Sequence, residues 1–536
     1  MELIDLTVTL GNINSSWESF LDSEGISWRC SGIEEYERYL TVLLLPEKRS
    51  KKLEDDALKV LEHGGSVVAE YGWEPFLVVD NKQTVSYPYD PANFSLISRT
   101  SNLNPTTVTI QKVLNGSIIH LPFCLEDVWC DRNVEKRYIS IWDEENPFVW
   151  ENLPKIIKKN VRKVLLDVLW RAHNAAGLPL VQKWYWPRGA KSVFSFRADM
   201  DAGDEDGMQR FLEVVRPWAK SLSLFVCGGA YVDKGHILNK VADLGAEVGN
   251  HTYTHYVFQK EEQNRKNLEL TEGLLAETGI QPNGFVGPAS FWHPSMYDVL
   301  QEKGYEYTSS FGLDHDTLPY FPPRKDGGCY DMVEIPFHCL GDRFPQFDIK
   351  LDSPAVTEFF DRLIEKKYQA SEPINIYGHP DKVGRLGDYP SLVERICRKA
   401  LSLDDVWTGN MRDLSTWWRA RQATRASFEY DHLKNTLKVN KLQGSADVFW
   451  SVKLADNCRY LMSGDRLLEG VRLDDIDKFS VKTYVTAATN LTGEVVHVPA
   501  EGRSLIRYVR DWKRELRRHR KKLYELKSTQ VRNARG

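Results

Sequence analysis

Ser192-Val-Phe-Ser-Phe-Arg-Ala-Asp-Met-Asp201 is an alternating, largely apolar run that ends in two acids. Alternation of this kind belongs to a buried strand, and residues two apart on a strand face the same side. Asp199 and Asp201, leaving the sheet at its carboxyl end, therefore aim into one cavity. About fifty residues further on, Gly249-Asn-His-Thr-Tyr-Thr-His255 places two histidines four apart. On a turn of helix, His251 and His255 would share a face. Two imidazoles and one carboxylate make a three-ligand divalent-metal site with an open position, and the other acid is left free to act as a base. Such a site lowers the pKa of a water towards about 7 and polarises a carbonyl, which is the chemistry of hydrolysis. Either motif alone also marks surface helices, loops and caps. Their combination is what points to a site.

Four further stretches follow in order: Phe225-Val-Cys-Gly-Gly229, Gly284-Phe-Val-Gly-Pro288, Gly304-Tyr-Glu-Tyr-Thr-Ser-Ser310 and Ile376-Tyr-Gly-His379. Together with the two site stretches they resemble, over roughly residues 190 to 420, the polysaccharide deacetylase (NodB-homology) family of carbohydrate esterase type. The resemblance implies a distorted (β/α) barrel in which a metal-bound water removes an acetyl group from an N-acetylated sugar. It further implies Asp199 as catalytic base, Asp201, His251 and His255 as metal ligands, and His379 as the general acid that protonates the leaving amine. The family's two acids are adjacent, whereas Met200 separates them here.

The family also has an arginine that pairs with the base, and the matching position here is Val286. Arg197, two residues before Asp199 on the same side of the strand, is the candidate to supply that guanidinium and to lower the Asp199 pKa. Asp314 and Asp316 are the candidates to orient His379 through a carboxylate-imidazole hydrogen bond. Tyr253 and Pro288 are expected to wall the acetyl pocket, and Trp292 to stack on a sugar ring. Zinc suits this ligand set, with cobalt, nickel and manganese as alternatives.

With 536 residues the chain is too long for one ordinary core. Its 42% hydrophobic and 27% charged residues are those of a globular protein. No apolar run is long enough for a membrane span, and Met1-Glu-Leu-Ile-Asp-Leu6 lacks the basic and apolar regions of a secretory signal. The expected location is the cytoplasm, with peripheral attachment or non-classical export left open. Eight cysteines without a Cys-x-x-Cys pair argue against a zinc knuckle and a disulfide framework. A net charge of −5 suggests no general affinity for nucleic acid.

Five segments are expected. Residues 1–145 read as a flavodoxin-like α/β domain: strand Tyr39 to Leu45, helix Ser50 to His63, Gly64-Gly65, then a strand from Ser66, with Gly116 to Pro122 as its last strand. This unit weakly resembles glutamine-amidotransferase-like domains. Cys124 and Cys130 lack the flanking glycines of a nucleophile elbow, so an accessory role is expected. Residues 146–187 show helical spacing from Val149 to Leu169 and read as a connector, with Lys155, Lys158, Lys159, Arg162 and Lys163 on its solvated face. Residues 188–425 alternate strand and helix signals, as a parallel barrel does, with the site at the carboxyl ends of its strands.

Residues 426–500 are short alternating runs between Asn, Asp and Gly turns, the pattern of a small β-sandwich. Residues 501–536 form a basic amphipathic helix: from Arg503 there are 13 Lys/Arg against 3 Asp/Glu, with Leu505, Val509, Trp512, Leu516 and Leu523 at helical spacing. Such a helix suits an anionic membrane surface, an acidic partner, or docking on its own protein.

The expected function is metal-dependent hydrolysis of a linear amide, removing N-acetyl groups from an N-acetylated oligosaccharide or polysaccharide. The alternatives are an amidohydrolase acting on a small non-sugar amide and a catalytically weak glycan-binding scaffold. Val286 in place of arginine favours the last.

Overall fold

The computed structural model describes residues 3–12, 14–30, 40–46, 48–73, 82–87, 106–129, 134–140, 148–154, 158–311, 318–322, 324, 328–337, 341–344, 350–456, 458–478, 482–483 and 516–529. The chain forms two compact units rather than five consecutive ones. The first unit combines Met1–Asn133, Pro154–Lys191 and Trp417–Leu491; the second combines Val134–Leu153, Ser192–Thr416 and Thr492–Gly536.

The first unit is built on a seven-stranded sheet. Trp28–Cys30, Val8–Leu10, Val42–Leu45, Ser66–Ala69 and Gly116–His120 run parallel, and Thr106–Val113 and Lys82–Tyr87 add an antiparallel edge. The continuous apolar run Val42–Leu45 is explained by burial on both faces. Val42, Leu44, Val68 and Ile119 enter one core, and Leu43, Leu45, Val67 and Ile118 enter the other. Helix Lys51–Glu62 covers the second face and starts where expected, because Ser50 Oγ accepts the Leu53 N–H.

Helix Lys158–Ala175 covers the first face, packing Val161, Val164, Leu165, Val168 and Leu169 against Trp17 and Phe20. It is therefore a core element and not a connector. Its basic residues are not all solvated either: Lys159 and Arg162 are buried, and Arg162 Nε donates to Glu24 Oε1 at 2.6 Å.

The expected β-sandwich is also not free-standing. Arg425–Asp431 and Thr436–Gln443 form a sheet with Leu3–Asp5, while Phe449–Lys453 and Arg459–Ser463 form one with Leu180–Lys183. Each pair of strands completes its sheet with a strand from far earlier in the chain.

The second unit contains β1 (Ser192–Met200), β2 (Leu222–Val226), β3 (Glu247–Asn250), β4 (Gly284–Phe285), β5 (Tyr307–Thr308), β6 (Val333–Glu334), β7 (Ile374–Gly378) and β8 (Val406–Thr408). All pair in parallel in the order β6-β5-β4-β3-β2-β1-β7, with β8 also beside β1. Helices Glu205–Val215, Gly235–Asp243, Glu261–Ala276, Pro294–Glu302, Pro354–Gln369 and Pro390–Leu401 supply the crossovers. This parallel α/β array fits a distorted (β/α) deacetylase domain. Every residue of β1 is buried, so the alternating run at its start continues unbroken through Arg197 and Asp199. No helix among the described residues is long and apolar enough to cross a membrane.

Candidate metal centre

Strand β1 brings Arg197 and Asp199 to the carboxyl edge of the sheet, and Asp201 follows one residue past its end. Asp381 anchors the exit of the strand. Its carboxylate accepts the N–H groups of Asp201, Ala202 and Gly203 at 3.0, 2.8 and 2.7 Å, and the Tyr231 hydroxyl at 2.7 Å. Gly203 turns the chain at φ 72°, where a Cβ would meet the Ala230 carbonyl oxygen at 2.5 Å.

His251 leaves β3, and the segment that carries both histidines is a loop, not the helical turn expected from their spacing. Thr252 and His255 are held at φ 61° and 53°, a left-handed conformation that costs a non-glycine residue about 1 kcal/mol or more. Asn267, from the following helix, holds the loop in this shape. Its backbone carbonyl accepts the Tyr253 N–H, its Oδ1 accepts the Thr254 N–H at 2.9 Å, and its Nδ2 donates to the Tyr256 carbonyl at 2.7 Å.

The loop brings both imidazoles to Asp201. His251 Nε2 lies 3.1 Å from Asp201 Oδ1, and His255 Nε2 lies 3.1 Å from Oδ2. One ligand atom from each of the three residues falls within 4.8 Å of the others. Val286 contributes through its backbone: its carbonyl oxygen pairs with His251 Nδ1 at 2.7 Å, which leaves Nε2 facing Asp201. Buried Asp201 Oδ1 and His255 Nε2 have no hydrogen-bond partner. Buried polar atoms are ordinarily satisfied. Lone pairs that converge without satisfying one another are what a cation requires, so the donor set fits a divalent metal.

Arg197 lies against Asp199 as a two-pronged pair, Nε to Oδ1 at 2.7 Å and Nη2 to Oδ2 at 2.6 Å. Its Nη1 donates to the Ser309 carbonyl at 2.7 Å, and its guanidinium sits 4.3 Å from the centre of the Phe337 ring. Burial alone would raise the Asp199 carboxyl. The Arg197 guanidinium, followed by His251, outweighs that and holds it below the ordinary aspartate range.

His379 stands one residue past β7. Its Nδ1 pairs with Asp342 Oδ1 at 2.8 Å, its backbone N–H donates to Asp342 Oδ2 at 2.8 Å, and its Nε2 points to Asp201 Oδ2 at 3.5 Å. Burial would lower the imidazole, but Asp342 more than offsets this and raises it. The acid that orients His379 is thus Asp342; Asp314 and Asp316 lie outside the described residues. Lys382 places its Nζ 2.5 Å from Asp201 Oδ2.

Tyr253 lines a cavity of about 350 Å³ together with Asp201, His255 and Cys227. Pro288 and Trp292 do not line it. Pro288 is buried in a short turn, and Trp292 packs with ring centres 5.8 Å from Tyr297 and 6.1 Å from Phe311. Asp342, Asp381 and Lys382 were not singled out from the sequence. Asp381 and Lys382 had a signal, since they directly follow His379-Pro380. Asp342 had none, because it sits in Gly341-Asp342-Arg343, outside any regular element.

Residues 199–308 match the family model described as polysaccharide deacetylase. The peptidoglycan deacetylase of Helicobacter pylori is 25% identical over 176 residues, which cover 28% of this chain. The chain spans 59% of that relative's length. A solved Mycobacterium smegmatis structure assigned to the polysaccharide deacetylases is 21% identical and covers 45% of this chain and 95% of its own, with a TM-score of 0.40. One from Pseudomonas aeruginosa is 17% identical and covers 44% of this chain and 93% of its own, with a TM-score of 0.37. The match to the polysaccharide deacetylase model thus lies within the second unit and does not reach the first 198 residues.

Proposed function

We propose that this chain is a metal-dependent hydrolase that removes N-acetyl groups from an N-acetylated glycan. One observation supports it above the others: Asp201, His251 and His255 converge, with Asp201 Oδ1 and His255 Nε2 unsatisfied, inside the stretch that matches the deacetylase model. A divalent cation, zinc by preference, supplies Lewis acidity and an acidified water at that position when bound.

The chain's own residues divide the remaining work. Asp199 is the base: Arg197 holds both carboxylate oxygens from one side, and each oxygen keeps a second lone pair for a proton. His379 is the acid. Asp342 fixes its Nδ1, so the proton is delivered from Nε2 towards the leaving nitrogen. Arg197 takes the place of the arginine absent at position 286, which removes the main argument for an inactive scaffold. Tyr253 walls the side of the cavity where the acetyl group would lie.

The test is metal analysis of the full-length protein together with acetate release from a panel of N-acetylated oligosaccharides and small amides. Release from the saccharides alone supports the reading. Release from small amides alone replaces it with amidohydrolysis of a non-sugar substrate, and a metal-loaded protein inert on both sinks it.

A further inference from the structure

The C-terminal helix, residues 516–529, belongs to the second unit and packs on the loop that carries the histidines. The His519 ring centre lies 5.8 Å from both Tyr256 and Phe258, and the Arg518 guanidinium lies over Tyr256 at 5.6 Å. Leu526 is buried, whereas Leu516, expected on the apolar face, is 37% exposed. With the helix seated in this way, Lys522, Glu525, Ser528 and Thr529 line the same cavity as Asp201, Tyr253 and His255. Their spacing of three and four residues makes them one face of the helix.

The chemistry of that face is specific. Lys522 Nζ pairs with Glu525 Oε2 at 2.9 Å, so the face carries a donor and an acceptor with no net charge. Ser528 and Thr529 both donate their hydroxyl hydrogens to the Glu525 carbonyl, at 3.0 Å each. Their oxygen lone pairs therefore remain to accept. Neutral, closely spaced donors and acceptors suit a hydroxyl-bearing ring and not an anion.

We infer that residues 522–529 form the substrate-recognising wall of the site, with Lys522, Ser528 and Thr529 holding the hydroxyls of a neutral N-acetylhexosamine whose acetamide faces Asp201. The inference rests on the deacetylase reading above and extends it to the sugar. It assigns the C-terminal helix to the chain's own site instead of to a membrane or an acidic partner.

The test uses the full-length, cobalt-loaded protein and N,N′-diacetylchitobiose. Lys522→Ala, Lys522→Met and the pair Ser528→Ala/Thr529→Ala are compared with Lys521→Ala, whose side chain is 77% exposed. Acetate release gives kcat and KM; calorimetry on the same variants carrying Asp199→Asn gives binding without turnover; cobalt absorbance confirms that the ligand set is intact.

Lys522 and Ser528/Thr529 variants should raise both KM and Kd about tenfold, as loss of one or two hydrogen bonds does, with kcat and cobalt binding unchanged and Lys521→Ala silent. Unaltered KM in an active protein overturns the inference and leaves the deacetylase reading standing. Binding that depends on Lys522 in a protein releasing no acetate does the reverse. Neither binding nor release overturns both.

Discussion

Both units bury charged side chains beside a parallel sheet, yet they do opposite things with them. In the first unit, Glu24 is fully buried and its oxygens are taken: Oε1 by Arg162 Nε at 2.6 Å, Oε2 by the Tyr185 hydroxyl at 2.7 Å. Arg421, also fully buried, donates to the carbonyls of Trp184, Ser23 and Lys183 at 2.8, 2.8 and 3.0 Å. In the second unit, Asp201 and His255 are brought together by a loop in a costly backbone conformation; Asp201 Oδ2 accepts from Lys382, while Asp201 Oδ1 and His255 Nε2 stay unsatisfied. The first arrangement joins separate segments of one unit. The second accepts a local cost to keep ligand atoms free.

The largest expected effects lie in the second unit. Asp199→Asn should lower kcat by about a thousandfold or more, the range for loss of a general base, while equilibrium dialysis finds metal still bound. His251→Ala should lose both. If Asp199→Asn retains near-normal turnover, the division between base and ligand is wrong.

Next comes Glu24→Ala, which removes the buried carboxylate to which Arg162 and Tyr185 donate. It should cost about 3–5 kcal/mol in denaturant unfolding with the metal content of the folded protein unchanged. A variant that instead loses metal but not stability would erase the distinction between the two kinds of buried charge.

A smaller effect depends on pH. Burial raises the Glu334 carboxyl from 4.5 to about 7, against the lowering effect of the hydrogen bonds it accepts from Tyr297, Ser310 and Phe311. The folded state thus holds this proton more tightly than the unfolded state. Stability from Glu334 is fully present below pH 4.5 and is lost as pH rises through about 7. Glu334→Gln should flatten the fall in unfolding free energy across that window by at most about 3 kcal/mol. An unchanged slope in urea titrations at several pH values would remove Glu334 as its source.

The smallest concerns Arg197→Ala. Without the guanidinium, the Asp199 carboxyl rises, so the acid limb of the pH-rate profile should move to higher pH. An unmoved limb would show that the pair does not set the base.

What the sequence discloses follows the range of the signals involved. A continuous apolar run marks Val42–Leu45, alternation marks the start of β1, helical spacing marks Lys51–Glu62, and two short motifs single out Asp199, Asp201, His251 and His255, because these are local patterns. Pairing between Leu3–Asp5 and Glu429–Asp431 leaves no local trace, so the later strands read as a domain of their own. The helix at Lys158–Ala175 shows its apolar stripe but not what that stripe covers. The histidine spacing was legible while its conformation was not, since the left-handed turns at Thr252 and His255 are imposed by Asn267, more than ten residues away. Asp342 acts from irregular chain, where no periodicity reports direction.

The segmented make-up of the first unit bears on the order of events during synthesis. Leu3–Asp5 waits for Arg425–Asp431, and Leu180–Lys183 waits for Phe449–Lys453. The parallel core that carries Asp201, His251 and His255 is translated entirely in between. A ribosome therefore releases β1 to β8 before the earlier sheets can close around their last strands, and the older part of the chain matures second. Pausing translation near residue 425 should yield a nascent chain in which the second unit has its parallel strands while the first still has open sheet edges.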